Sequence, residues 1–359
     1  MFIPNIDTLI ATIDIEDYDI RAYALLLTLE ELKEEAKNKL KESIASKVQV
    51  KIGNMTFEVL PNGSRHHAYI LHNDLYEVKL ARYRSSSGDS YPVFVKIKSA
   101  CLWSKGYRKA WEDIKSFINK YVGEVLTNKI SRLDICCHTD ELQLTSSDID
   151  RFSGKFRSDE IYRSDRKLSG FTFGSGKNKN VFCRIYNKTL EVKQKRQKTW
   201  FFDIWEKQNM DIENVWNVEF QLGRKFFKKH EIETVEKAFK QLKPMWEYCT
   251  TLWITMRDLT NTRKDRCDIN ETWLRLQDTF KNFEGKELIT RDKQLERESE
   301  VLIPSIMGYL TTYSARSNIK DLGDSLMNVI NKGLNYLENA KKSNFTIEVA
   351  KKQSLLKEC

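Results

Sequence analysis

The chain has little that would mark a secreted or membrane-bound protein. Its seven cysteines (Cys101, Cys136, Cys137, Cys183, Cys249, Cys267 and Cys359) are odd in number and irregular in spacing, which argues against a disulfide framework. They contain no CxxC pair, so the usual zinc spacing is missing as well. No apolar run approaches the length of a bilayer span, and no basic segment precedes the first apolar residues, MFIPNIDTLIATIDIEDYD. Reduced thiols, a cytoplasmic location and no membrane partner are the expectations. Proline and glycine are scarce too, 5 and 14 in 359 residues. That scarcity, with 40% hydrophobic residues, excludes a disordered or low-complexity chain.

Charge is plentiful, and it is unevenly placed. The net charge is +9. Residues 163–198 alone hold eleven Lys or Arg against Asp165 and Glu191, a surplus of nine that equals that of the whole chain. One basic block on an otherwise neutral protein fits a phosphate backbone, whereas a solvated lysine-rich loop is the plainer alternative.

The patterning divides the chain. Residues 6–15 read as a strand, Thr28 and Glu31 as a capping box opening a helix to about Ser46, and 48–60, 68–72, 75–83 and 92–99 as a β-meander. A helix over 104–121 follows, with Trp103, Tyr107 and Trp111 at core spacing. Then come a strand at 131–138, a short helix at 146–153, and strands near 170–174, 181–187 and 214–222. Beyond Arg224 the pattern is helical, through 226–258, 268–283, 301–316 and 319–341. The expected class is α+β: an antiparallel sheet covered by helices on one face in residues 1–225, then a mostly helical domain in 226–359. The boundary falls within 223–265. The repeated order of elements suggests a duplicated half, without any residue-level repeat.

Side chains alternate across a strand, so three segments each offer one apolar and one chemical face. Arg132, Asp134, Cys136 and His138 share a face; so do Phe182, Arg184, Tyr186 and Lys188; so do Asn217, Glu219 and Gln221. Paired in one sheet, these strands would gather two acids and a phenol among cations. Asp134 and Glu219 could hold one Mg²⁺ or Mn²⁺. Tyr186 could attack a phosphodiester, with Arg184 and Lys188 favouring its ionised form. Half-buried strands facing plain water alternate in the same way. His138 is open as a third metal ligand or as a solvated strand-end histidine. His66 and His67 are adjacent and would point to opposite faces. The run Trp200-Phe201-Phe202 with Trp205 is open between base stacking and core packing. Arg224 through Lys229 is open between gripping duplex DNA and a solvated helix start.

The order RLDICCHTD, then GFTFGSGKNKNVFCRIYNKTLE, then VWNVEFQL resembles the Rep_trans family of replication initiation factors, which includes rolling-circle plasmid initiators and conjugative-element relaxases. The likeness is good over residues 130–225, the catalytic half, and looser elsewhere. It implies Tyr186 as the nicking tyrosine, Asp134 and Glu219 as metal-site carboxylates, and Lys188 as the motif lysine. The implied reaction is cleavage of one DNA strand at a replication or transfer origin, leaving a 5′-phosphotyrosyl link that is later rejoined. Asn217 departs from the arginine many members carry there. Arg132, Lys177, Lys179, Lys193, Lys195, Arg196, Arg224 and Lys228 are the candidate DNA contacts. Origin DNA, a host helicase and a second copy of the chain are the implied partners. The competing readings are a catalytically inactive DNA-binding protein of the same fold and an RNA-binding protein.

Overall fold

The computed structural model describes residues 1–18, 20–42, 47–83, 91–174, 180–283, 291–340 and 343–358. The first series of elements is β1 (Phe2–Ile15), α1 (Ile20–Lys41), β2 (Gln49–Ile52), β3 (Met55–Val59), β4 (Tyr69–His72), β5 (Tyr76–Leu80), β6 (Val93–Ile97), α2 (Ser99–Lys105) and α3 (Tyr107–Tyr121). The second is β7 (Val125–Thr139), β8 (Phe152–Gly154), β9 (Asp159–Ser164), β10 (Lys167–Phe173), β11 (Val181–Asn187), α4 (Lys188–Lys195), α5 (Trp200–Lys207) and β12 (Trp216–Gly223). Short helices α6 (Arg224–Lys229), α7 (Val235–Phe239) and α8 (Leu242–Glu247) follow, then β13 (Ile254–Met256) and α9 (Glu271–Gln277).

Eleven strands form one sheet in the order β2-β3-β4-β5-β6-β1-β7-β12-β11-β10-β9, with β8 and β13 pairing separately. Each half starts with a long strand and closes with the strand that returns to it. β1 pairs with β6, β7 pairs with β12, and the two long strands pair with each other at the centre. The suggested duplication is therefore visible as topology.

One side of the sheet is apolar from edge to edge. Leu9, Val95, Val78, Leu133, Phe220, Cys183 and Phe171 are buried there in a core shared with the helices. Burying each large side chain of this kind contributes about 1.5–3 kcal/mol. Phe226, Trp246, Trp273 and Phe280 belong to the same core. For that reason the first compact unit does not end at 225 but spans Met1–Leu288, and the second is Ile289–Cys359. The second unit consists of α10 (Arg291–Arg316), α11 (Leu322–Asn339) and α12 (Phe345–Glu358). Tyr313 of α10 donates to the Asn328 side chain of α11 at 2.6 Å. No helix among the described residues is long and apolar enough to cross a membrane.

Several expected boundaries move for local reasons. Thr28 does not cap a helix; it lies inside α1 and its hydroxyl donates to the Ala24 carbonyl at 3.1 Å. The predicted 104–121 helix is two helices, broken at Gly106, whose φ of +78° no helix contains. The expected 146–153 helix is a single 3₁₀ stretch, Ser146–Arg151. The supposed helix 226–258 is interrupted and ends in β13, which pairs with β8.

Candidate active site

The second face of the sheet carries the polar groups, and cross-strand pairing settles who meets whom. Tyr186 lies opposite Asn217, and Arg184 opposite Glu219. On the next strand Asn217 faces His138, Glu219 faces Cys136, and Gln221 faces Asp134. Asp134 in turn lies opposite Thr8 of β1. The expected convergence of Asp134, Glu219, Arg184 and Tyr186 on one surface is thus present, because all four occupy positions of one parity.

The Tyr186 hydroxyl is the hub. It donates to Glu219 Oε2 at 3.1 Å and accepts from Lys188 Nζ at 3.2 Å and from Asn217 Nδ2 at 3.0 Å. Asn217 also donates to Glu219 Oε2 at 3.2 Å. Lys188 opens α4 with Asn187 as its N-cap, so its side chain folds back over the strand end. It is 1% exposed, and Glu191 one turn along the helix balances its charge at 2.6 Å.

The acids are held by arginines. Arg132 grips Asp134 with two hydrogen bonds, 2.7 and 2.5 Å. Arg184 contacts Glu219 directly, and its Nη2 lies 3.9 Å from Asp134. One guanidinium therefore stands between the two carboxylates. Burial pushes Glu219 up to about 7, with Arg184 pulling it down and the Asp7 and Asp134 charges pushing it further up. Asp134 is raised by burial despite Arg132 and Arg184. Burial, followed by the negative charge of Glu219, also holds the Tyr186 phenol well above its ordinary value. Arg184 works toward the ionised form, as expected, but desolvation is the larger effect and the net shift is upward.

His138 does not join the acids. Four residues along a strand is roughly 13 Å, too far for one ion to bridge it and Asp134. Its Nδ1 accepts from the Trp205 indole at 3.1 Å, and its ring stacks on Trp103 at 4.6 Å between centroids. Burial, with the nearby Lys188 charge, lowers its pKa to about 3, so it is a neutral core histidine. The cage around it is a second, smaller core of Val192, Phe201, Trp205, Met210 and Val215. Phe201 and Trp205 are fully buried there, so those two pack in a core, while Trp200 and Phe202 are half-buried against it.

The donor set does not fit a divalent ion as it stands. Among the described residues no group of three His, Cys, Asp or Glu could hold one. The oxygens of Asp134 and Glu219 are engaged by Arg132, Arg184, Asn217 and Tyr186. We expect no thermal stabilisation of the DNA-free protein by millimolar Mn²⁺ in differential scanning fluorimetry; a clear upward shift would contradict this arrangement. Arg184→Ala should lower stability by about 3–5 kcal/mol in urea unfolding, because it strands a buried carboxylate.

Asp7 belongs to the constellation although nothing singled it out in the sequence. It is the extra residue where the β1–β7 register slips between Ile6 and Thr8. The bulge lets Ile6 and Leu9, three apart, both reach the core, and it leaves Asp7 buried at 7% exposure. Ser99 donates to it at 2.6 Å and Lys198 stands 3.7 Å away. Burial works to raise its carboxyl, but Lys198 and Lys188 outweigh that and the net shift is downward. The spacing of Ile6 and Leu9 was the available signal, since apolar residues three apart do not fit plain strand alternation.

The candidate DNA contacts are scattered in role. Arg132 holds Asp134; Lys193 pairs with Glu213 at 2.5 Å; Lys195 pairs with Glu191 at 2.8 Å. Arg196 takes the left-handed position ending α4, with φ of 51°. Arg224 donates to the Ile130 carbonyl at 3.0 Å and so ties α6 to β7. Lys228 lies on the exposed side of α6. Lys177 and Lys179 lie outside the described residues.

Gly170 makes room for Tyr186. A Cβ there would lie 2.7 Å from both the Ile185 carbonyl oxygen and Tyr186 Cβ. Gly170→Ala should therefore cost about 1–3 kcal/mol of stability and displace the phenol. A melting temperature equal to wild type would show that the strands can separate freely.

No protein-family model and no curated protein sequence matches the chain. Among solved structures it is similar to a rolling circle replication initiator protein from Geobacillus stearothermophilus, at 14% identity and a TM-score of 0.45, over 80% of this chain and 100% of that one. The functional reading rests on the site's own geometry.

Proposed function

We propose that the protein nicks and rejoins one DNA strand, with Tyr186 as nucleophile and Glu219 as its base. The observation carrying this reading is the hydrogen bond from the Tyr186 hydroxyl to Glu219 Oε2, with Lys188 and Asn217 donating to the same phenolic oxygen. A phenol raised by burial needs a nearby acceptor for its proton, and a carboxylate near pH 7 is matched to that task. Lys188 and Asn217 are placed to stabilise the charge that develops as the proton leaves.

The step is a transesterification. Tyr186 Oη bonds to phosphorus while its proton passes to Glu219, the bond from phosphorus to the 3′-oxygen breaks, and that oxygen takes a proton from water. The product is a 5′-phosphotyrosyl link and a free 3′-hydroxyl. The reverse attack rejoins the strand without ATP, since the covalent link conserves the phosphodiester energy. Arg184 is placed to leave Glu219 for the incoming phosphate, because a guanidinium binds either anion through the same fork.

The test is incubation with supercoiled plasmid carrying the protein's own coding sequence and flanks. Open circles with covalently attached protein are expected. Tight binding of that DNA with neither nicks nor attached protein would favour the binding-only reading, and preference for RNA of the same sequence would overturn both.

A further inference from the structure

A cavity of about 550 Å³ opens on the polar face of the sheet in the first half of the chain. Thr8 of β1, Lys96 of β6, Lys98 just beyond β6 and Asp74 from the β4–β5 turn line it, with Lys198 and Trp200 where α5 begins. Lys96 lies opposite Ile10 and Thr8 opposite Asp134, so the floor continues the face that carries Tyr186. β6 is four strands from β11. At about 4.8 Å per strand the cavity is roughly 19 Å from the phenol, too far for a small ligand at Tyr186 to fill it.

Its three ammonium groups have donors to spare, since each lysine carries three. Lys96 is half-buried and makes no ion pair among the described residues. Lys98 Nζ spends one N–H on the Asn73 carbonyl at 2.5 Å, and burial holds its pKa below the ordinary value, a cost that a bound anion would offset. Lys198 stands 3.7 Å from Asp7, beyond hydrogen-bond length, while Ser99 serves the other oxygen of that acid at 2.6 Å. Three cations thus face one exposed carboxylate, Asp74, and one buried behind them, Asp7. A phosphate can take a donor from each lysine without breaking a bond already made. Trp200 supplies an aromatic wall: it is half-buried and packs on Phe201 at 4.0 Å between centroids. The volume lies in the range of pockets for small organic ligands. We propose that this cavity binds a free nucleotide, its phosphates held by Lys96, Lys98 and Lys198 and its base against Trp200. The site is separate from the nicking centre, and its occupancy does not depend on that chemistry.

Isothermal titration of the full chain with adenosine diphosphate and with pyrophosphate, both free of divalent metal, tests this. The wild type should take up one adenosine diphosphate, about five- to a hundredfold more tightly than pyrophosphate, the range for one stacked base. Lys96→Ala should weaken both ligands by about tenfold or more, as loss of a charged hydrogen bond does, and Lys96→Arg should restore them. Trp200→Leu should erase the advantage of the nucleotide and leave pyrophosphate binding as it was; circular dichroism shows whether each variant is folded. Tyr186→Phe should bind the nucleotide like wild type. Loss of binding in that variant would place the nucleotide at the nicking centre and overturn the proposal. So would no uptake at millimolar concentration, equal affinity for the two ligands, or unchanged affinity in a folded Lys96→Ala. If Lys96→Ala weakens binding of a DNA duplex while the wild type takes up no nucleotide, the lysines serve a DNA backbone and the proposal falls.

Discussion

Tyr186→Phe is expected to abolish covalent attachment to DNA and to cut nicking by on the order of 10⁴-fold or more, as removal of a nucleophile does elsewhere. The change deletes one oxygen and leaves the ring in place. Glu219 keeps Arg184 and Asn217, and Lys188 keeps Glu191 at 2.6 Å. The fold should survive, so DNA binding by the variant should stay within a few-fold of wild type. Gel-shift titration next to a nicking assay checks both halves. A variant that still nicks would move the nucleophile to another residue; one that neither binds nor nicks would point to a structural role for the hydroxyl.

Glu219→Gln should give the second large effect, and it should act through pH. With Glu219 raised to about 7, the wild-type rate should climb as pH rises through neutrality, because only the ionised carboxylate can take the phenol proton. The glutamine variant should lose that limb and run roughly 10²- to 10⁴-fold slower. Its stability should change in the opposite sense. A carboxyl raised from 4.5 to about 7 favours the folded state fully below pH 4.5, and this contribution is lost as pH rises through 7, roughly 3 kcal/mol in all. Urea unfolding at pH 5 and pH 8 should show a smaller decline for Glu219→Gln than for wild type. An equal decline in both proteins would place the burial cost on another group.

What could be read from the sequence follows the reach of each signal. Strand alternation has a period of two, so it put Asp134, then Arg184 with Tyr186, then Glu219, each on the polar face of its own strand before any pairing was known. It could not say that Arg184 would stand between the acids, since that depends on the register of β11 against β12 and of β12 against β7. His138 had the right parity but the wrong distance, and the tryptophans that enclose it arrive from α2 and α5, remote in sequence. Asn217, which departs from the arginine of the resembling family, is a donor to the phenol. Asp7 escaped notice because a bulge changes parity at one residue. The helical reading past residue 225 was right in type for α6, α7 and α8, but whether they pack on the sheet or apart from it depends on which apolar residues meet, such as Trp246 against Phe220 at 5.5 Å between rings.

The central claim is that a phenol on β11, seated between one acid on β12 and one buried lysine, exchanges its proton for a phosphorus. Peptide mass spectrometry after reaction with the cognate strand tests it most directly. The account predicts a nucleotide adduct on the peptide containing Tyr186, reversed when an acceptor strand with a free 3′-hydroxyl is added. An adduct on any other tyrosine, or cleavage that leaves no adduct at all, would contradict it.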